Sequence, residues 1–320
     1  FDSFQVKPED TPDNIPDTVD SLTFGSPQDL IDRINGVDVL VVHRAPVIQQ
    51  VVDGANRLKV IASLRTSPGN VDVEAATRKK IPVVFARGRN AMGVAEMTFG
   101  LILAIARKII YADSWIRAGS WSKGGLDHMG LFEGFELEGK CIGVVGFGAI
   151  GNHVARKAKG FGMNVMVHDP YVKKDAIQRS GHESVDLNTL LKESDIVSLH
   201  VKLPPSPAKE FLLGDRELGL MKNSSILINT SDGPVLDQNA LYKALKHGII
   251  AGAAQDGWIE YKVTPDNPLL ELKNLIVTPG IGNATREVPE RSIRMTGQDI
   301  ARILKGERPK FVANPEGLSF

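Results

Sequence analysis

The sequence predicts an α/β protein made of two doubly wound parallel-sheet (Rossmann-like) domains with a cleft between them. Two observations carry the prediction. Short β-rich runs alternate with helical patterns along almost the whole chain, the rhythm of a parallel sheet covered on both faces. A glycine fingerprint, Gly146-x-Gly148-x-x-Gly151, then stands directly after an apolar run and at the start of a helical pattern.

The first series reads SLTF, DLIDRI, DVLVV, VIQQVVDGANRL, KVIASL, VDVEAATRKK and IPVVFA, strand and helix in turn. A single long helix is expected from about Ala91 to Arg117, with Val94, Met97, Leu101, Ile105 and Ile109 along one apolar stripe. The second series supplies the strands CIGVVGFG, MNVMVHD, DIVSLHV, SSILINT, IIAGAAQD and NLIVTP, with helices between them. A closing helix near Glu290 to Gly306 and the tail FVANPE follow. No low-complexity segment and no repeat of about 20–50 residues interrupts this order, which excludes a solenoid.

Composition narrows the function classes. The chain has 320 residues, of which 42% are hydrophobic and 24% charged, enough for one large or two medium domains with filled cores. Lys plus Arg number 38 against 38 Asp plus Glu, so no global field draws the protein to nucleic acid or to an anionic membrane surface. Cys141, the one cysteine, sits within CIGVV and is expected to be a small buried residue in a reducing compartment. The run from Phe99 to Ala106 is cut by Arg107 and Lys108 and is too short to span a bilayer. FDSFQVKPED shows neither the basic start nor the apolar core of a signal peptide, so a cytoplasmic location is expected. No metal-ligand spacing and no Gly-x-Ser-x-Gly elbow is present.

The fingerprint points to a dinucleotide. Gly146 permits the tight turn, Gly148 lets backbone amides reach a pyrophosphate, and Gly151 lets helix and strand pack closely. Ala149 and Ile150 lie between them at the helix N-terminus, the positive end of its dipole. Asp169 falls 18 residues after the last glycine, where an acid accepts the ribose hydroxyls of the adenosine half. A carboxylate there repels the 2′-phosphate of NADP, so NAD is the expected cofactor, a preference that Lys173 and Lys174 soften.

With both series in view, the chain resembles the D-isomer-specific 2-hydroxyacid dehydrogenases, the phosphoglycerate, formate and glyoxylate reductase-type enzymes. NVDVEAA, GRNAMGVAE, the fingerprint with HDPY, DIVSLHVKL, MKNSSILINT, DQNALYKAL, NPLLELKNLIVTP and MTGQDIARILKGERPKFVANPE carry the resemblance over nearly the whole length. It implies a flavodoxin-like substrate domain from residues 1–90 and 292–320 and an inserted NAD-binding domain, 91–291. It also implies a homodimer that pairs through a helical arm at about 109–138. His200, Thr230, Asp256 and Gly280 then join the cofactor side, Asp256 matching the acid that holds the nicotinamide amide.

At three positions the chain departs from the family pattern. LINTARG supplies an arginine for the substrate carboxylate, and LINTSDG here gives Asp232. The glutamate of DVFxxEP is replaced by Tyr261, and the histidine of TPHIG by Gly280. Loss of a positioned general acid or base costs about 10²- to 10⁴-fold in rate. An aspartate in place of the arginine turns attraction into repulsion of about 4 kcal/mol for unit charges about 4 Å apart at an effective dielectric near 20.

On the substrate side, VVHRAPV and SLRTSPGNVD resemble a subgroup pattern that places Arg44, Arg65, Thr66 and Ser67 where an anion is received, against the bland reading of surface or interdomain ion pairs. Lys202, Tyr261 and Glu260 are candidate replacement proton carriers, each weighed against a structural role. His43 and His128 have no assigned partner. Three readings stay open: an NAD-dependent oxidoreductase or NAD-assisted enzyme with a rebuilt site, an inactive NAD(H)-binding pseudoenzyme or scaffold, and a weak conventional 2-hydroxy acid dehydrogenase.

Overall fold

A computed structural model describes residues 25–122, 128–202, 211–231, 235–258 and 263–318. The SLTF run lies outside them. The chain divides into two compact units, residues 1–89 with 285–320, and residues 90–284.

In the first unit, α1 (Pro27–Ile31), β1 (Val39–Val42), α2 (Gln49–Gly54), β2 (Val60–Ser63), α3 (Val73–Arg78) and β3 (Val83–Phe85) follow one another. The three strands pair in parallel in the order β1-β2-β3. Alternation along β2 sorts the two faces. Ile61 joins Val51, Val52 and Ala76 of α2 and α3, whereas Val60 and Ala62 pack with Val84 and Ile303. Ile303 belongs to the long C-terminal helix, Glu287–Leu304, which sits whole in this unit rather than being divided at residue 292. Buried Asp299 on that helix accepts from the Lys310 and Phe311 amides at 2.8 and 3.1 Å, and Asn314 accepts from Val83 N–H at 2.7 Å. These bonds fasten FVANPE to the sheet edge.

The second unit opens with α4 (Ala91–Ala106) and α5 (Ile109–Arg117), two helices where the sequence predicts one. The chain turns between them because Lys108 adopts a left-handed backbone, φ 51°, and the Phe135 amide donates to Ala106 O at 3.0 Å as the chain returns. Then come α6 (His128–Leu131), β4 (Cys141–Val145), α7 (Ala149–Gly160), β5 (Asn164–His168), α8 (Lys174–Arg179), β6 (Glu183–Ser184), α9 (Leu187–Glu193), β7 (Ile196–Leu199), α10 (Asp215–Leu218), β8 (Ile226–Asn229), α11 (Gln238–Lys246), β9 (Gly252–Gln255) and β10 (Leu275–Val277). The C-terminal helix is α12. Asp72, Asp186 and Asp237 cap α3, α9 and α11 through their carboxylates, each cap contributing about 1 kcal/mol.

Seven parallel strands run β10-β9-β8-β7-β4-β5-β6, so the winding reverses between β4 and β7. The apolar strands are buried on both faces, as a parallel sheet requires. Ile142, Val144, Ile196, Ile226, Ile228 and Ile276 meet α4 and α7, and Val145, Val197, Leu199, Leu227 and Leu275 meet α9 and α11. Cys141 is half-buried rather than fully buried. Burial first, and then Asp195, hold its thiol above the usual range, so it stays protonated and inert.

Gly143 shows how closely α9 sits on the sheet: an added Cβ would lie 2.3 Å from both Leu190 Cδ2 and Ser194 Oγ. Gly143→Ala is therefore expected to destabilise the fold by about 1–3 kcal/mol through overpacking. A lower midpoint in urea unfolding checks it.

Candidate active site

The reversal between β4 and β7 is where a doubly wound sheet leaves a crevice for ligands. The glycine turn fills one side of it. Gly146 has φ 93°, and a Cβ there would stand 2.5 Å from His200 O and 2.7 Å from Val201 Cγ1, so the backbones leaving β4 and β7 meet where only glycine fits. A Cβ on Gly151 would fall 1.9 Å from Gly146 O.

Gly148 is different. Its φ of −72° is open to any residue, and a Cβ on it would meet no atom of the described residues within 4 Å. The protein itself does not require this glycine, and the space it leaves, at the N-cap of α7 beside Ala149 and Ile150, fits an anion held by helix amides.

Asp169 stands just past β5. Its Oδ2 accepts from Phe147 N–H at 2.7 Å, and its Oδ1 accepts from the Tyr171 and Val172 amides at 2.8 and 3.1 Å. The carboxylate thus ties the glycine turn to the end of β5. An ionised carboxylate has about four acceptor sites, so one is left for a ribose hydroxyl.

Beyond β7, His200 is buried, with Nε2 2.8 Å from Ser198 Oγ and Nδ1 3.5 Å from Thr230 Oγ1. Burial drives its pKa down to about 3, so at neutral pH the ring is uncharged and structural. Thr230 continues to Thr98 of α4 at 3.2 Å. Ser231 Oγ donates to Leu199 O at 2.8 Å and accepts from Val201 N–H at 3.1 Å, bracing the exits of β7 and β8. Lys202 is exposed beside them.

After β9, Asp256 is only 4% exposed and organises the segment that follows β10. Its Oδ1 accepts from Thr278 Oγ1 at 2.5 Å and from Ile281 N–H at 2.9 Å, while Oδ2 accepts from Gly282 N–H at 2.8 Å. Trp258 Nε1 adds a bond to Thr278 O at 2.8 Å. Residue 280 is held within this clamp as a left-handed glycine, φ 72°. Asp232, Glu260 and Tyr261 lie outside the described residues. Among the described residues no group of His, Cys, Asp and Glu is placed to hold a metal ion.

In the first unit, Arg44, Arg65 and Arg89 follow the carboxyl ends of β1, β2 and β3. Asn70, fully buried, donates to Ala45 O at 3.0 Å and lies 2.9 Å from Ser63 Oγ, which fixes the first two arginine loops against each other. Thr66 and Ser67 lie on the second of these loops. Beside the cluster, His43 is held down to about 4, first by desolvation and then by Arg89, Arg44 and Arg65, though solvent at its exposed edge screens those charges. Sequence reasoning missed Arg89, Ser231 and Trp258. Arg89 lies inside the quoted block GRNAMGVAE, where only the strand-end position marks it; the other two act through contacts 30 and 20 residues away in sequence.

The order of strands, the glycine turn at the reversal and the acid after β5 define a dinucleotide-binding α/β protein. The family model for the D-isomer specific 2-hydroxyacid dehydrogenase NAD binding domain matches residues 99–282. A glyoxylate reductase of Thermococcus litoralis is 40% identical over 91% of this chain and 87% of its own. A D-3-phosphoglycerate dehydrogenase of Methanocaldococcus jannaschii is 40% identical over 90% of this chain, which spans about half, 53%, of that relative. Among solved structures, an acyclic imino acid reductase in complex with NADPH and D-arginine superposes with a TM-score of 0.74 at 31% identity, over 90% of this chain and 89% of that one. The chain belongs to the D-isomer specific 2-hydroxyacid dehydrogenase family, and NAD is its cofactor.

Two glycines separate folding from binding. Gly148→Ala is expected to leave the unfolding free energy within about 0.5 kcal/mol of the parent and to weaken NAD binding at least about tenfold, or about 1.4 kcal/mol, whereas Gly151→Ala loses stability first. Calorimetric titration with NAD, paired with thermal melts, distinguishes them. Asp256→Ala strips the acceptor from three donors at a buried site. A loss of about 3 kcal/mol is expected from charge-assisted bonds of this kind, visible as a lower denaturant midpoint.

Proposed function

We propose that this chain is an NAD-dependent oxidoreductase acting on a small anionic substrate, with a rebuilt site in which residue 280 does not carry the proton. Gly280 carries this reading: it stands in a segment pinned by Asp256 and Trp258 on both sides, with no ionisable side chain of its own. Bound at the glycine turn, NAD supplies or accepts the hydride. Gly148 and the N-terminus of α7 receive the pyrophosphate, and Asp169 holds a ribose hydroxyl through its remaining acceptor site. Arg44 and Arg65, with Thr66 and Ser67, hold the substrate anion. Reduction of a carbonyl needs one proton on oxygen beside the hydride on carbon, and Tyr261 is the first candidate to deliver it, with Lys202, Glu260 and Asp232 next.

A second reading is favoured by the same bare position. An imine that is already protonated becomes a neutral amine on receiving hydride and needs no proton donor. The likeness to an imino acid reductase supports that alternative. A cytoplasmic homodimer belongs to the proposal as well: α5 has no buried residue, and Ile109, Ile110, Ile116, Met129 and Leu131 expose apolar surface on the arm.

The test follows NADH absorbance with glyoxylate and hydroxypyruvate, each with and without ammonium. Turnover is expected in at least one arm. Tyr261→Phe should lower the carbonyl arm by about 10²- to 10⁴-fold and leave an imine arm unchanged. Gly280→His combined with Asp232→Arg and Tyr261→Glu should raise glyoxylate reduction sharply. No turnover in any arm, with NADH bound by calorimetry, would overturn the enzyme in favour of an NAD(H)-binding protein.

A further inference from the structure

We propose that Arg89 determines substrate specificity by completing a three-arginine seat for a doubly charged oxyanion group, either a phosphate ester or a second carboxylate. The inference rests on the reading of Arg44 and Arg65 as substrate-side residues, and adds the third cation and the charge class it selects.

Position brings the three together. β1, β2 and β3 are adjacent and parallel, and neighbouring strands lie about 4.8 Å apart. Leu64 N–H bonds Val42 O at 2.8 Å and Ala86 N–H bonds Arg65 O at 2.9 Å, so the ladder continues into the loops that bear Arg44 and Arg65. Arg89 closes the turn after β3. Its N–H reaches Ala86 O at 3.2 Å, and Gly88 takes the left-handed φ of 78° that such a turn places at its third residue.

Arg89 is also held from behind. Its Nη1 donates to Ser292 Oγ at 3.2 Å, and Arg291 bonds its carbonyl oxygen. Its Nε is buried with no hydrogen-bond partner among the described residues. Desolvation acts first on its guanidinium, and among the described residues the repulsive charges of Arg65 and then Arg44 follow. A partly desolvated cation that feels two like charges, with a donor left over among the described residues, is a poor structural tie and a good anion receiver. One guanidinium fork satisfies a single carboxylate, whereas three cations match a group with two charges and several oxygens. Arg44 and Arg65 enter through charge and position alone.

The experiment needs no cofactor. The full chain is titrated calorimetrically at low ionic strength with inorganic phosphate, oxalate and acetate, as wild type, Arg89→Met, Arg89→Lys and Ser292→Ala. At least one dianion should bind about tenfold or more tighter than acetate, and the tighter of phosphate and oxalate identifies the source chemistry. Arg89→Met should weaken that dianion by about ten- to a hundredfold, the fold-change of one charge-assisted bond, and acetate by less than about threefold. Arg89→Lys should fall between, and Ser292→Ala, which loosens the hold on the guanidinium, should weaken the dianion by less than Arg89→Met does. Wild type with no preference for a dianion, or a folded Arg89→Met that binds it as tightly as wild type, would overturn the seat. If Arg89→Met does not fold, Arg89→Lys with wild-type dianion affinity does the same. Because NAD is absent, failure of hydride transfer leaves this result standing, and failure of the seat leaves NAD turnover to be judged separately.

Discussion

The close approach of two backbones where the sheet reverses is the constraint on which the larger unit depends. The carbonyl of His200, leaving β7, comes so near Gly146, leaving β4, that a single added carbon would stand 2.5 Å from it. Everything around that point serves the approach. Gly151 lets α7 drop onto the turn, Asp169 ties the turn to β5, and the neutral, buried His200 braces Ser198 and Thr230 without introducing a charge. A charged imidazole there would bring a desolvation penalty that nothing in its hydrogen bonding offsets.

A second constraint governs the far strands. Backbone amides at Asp256 and Gly257 both donate to Asn229 O, at 2.9 and 3.2 Å, and a Cβ on Gly257 would lie 1.8 Å from Ser231 O. The exits of β8 and β9 are therefore packed main chain to main chain. Asp256 leaves this junction with a fixed direction, which is why one carboxylate can receive donors from Thr278, Ile281 and Gly282 together.

Strands buried on both faces are legible in a sequence, because a run such as CIGVV has no polar side to offer solvent. The glycine turn is legible for a related reason: its spacing is a steric requirement rather than a preference. β6 is not, since Glu183–Ser184 is two polar residues whose pairing with β5 comes from tertiary context. The break between α4 and α5 hides as well, because the apolar stripe continues through Ile109 while Lys108 turns the chain. In the candidate site, Gly280 could be marked as bare, but the clamp around it could not, because Asp256 lies 22–26 residues before its partners. Arg89 sits outside the local pattern of the other two arginines and joins them only through strand order.

The donors that Asp256 gathers belong to residues 278, 281 and 282 and pass over residue 280. The path of the segment is thus set by its neighbours, and the side chain at 280 is free to change without dismantling it. A left-handed backbone at that residue favours glycine by about 1–2 kcal/mol over an ordinary side chain, so a side chain introduced there meets a small conformational cost. The cofactor turn is closed around Gly146 and Gly151 and the segment around residue 280 is closed by Asp256, so the two are held by different bonds and a change at one leaves the other standing.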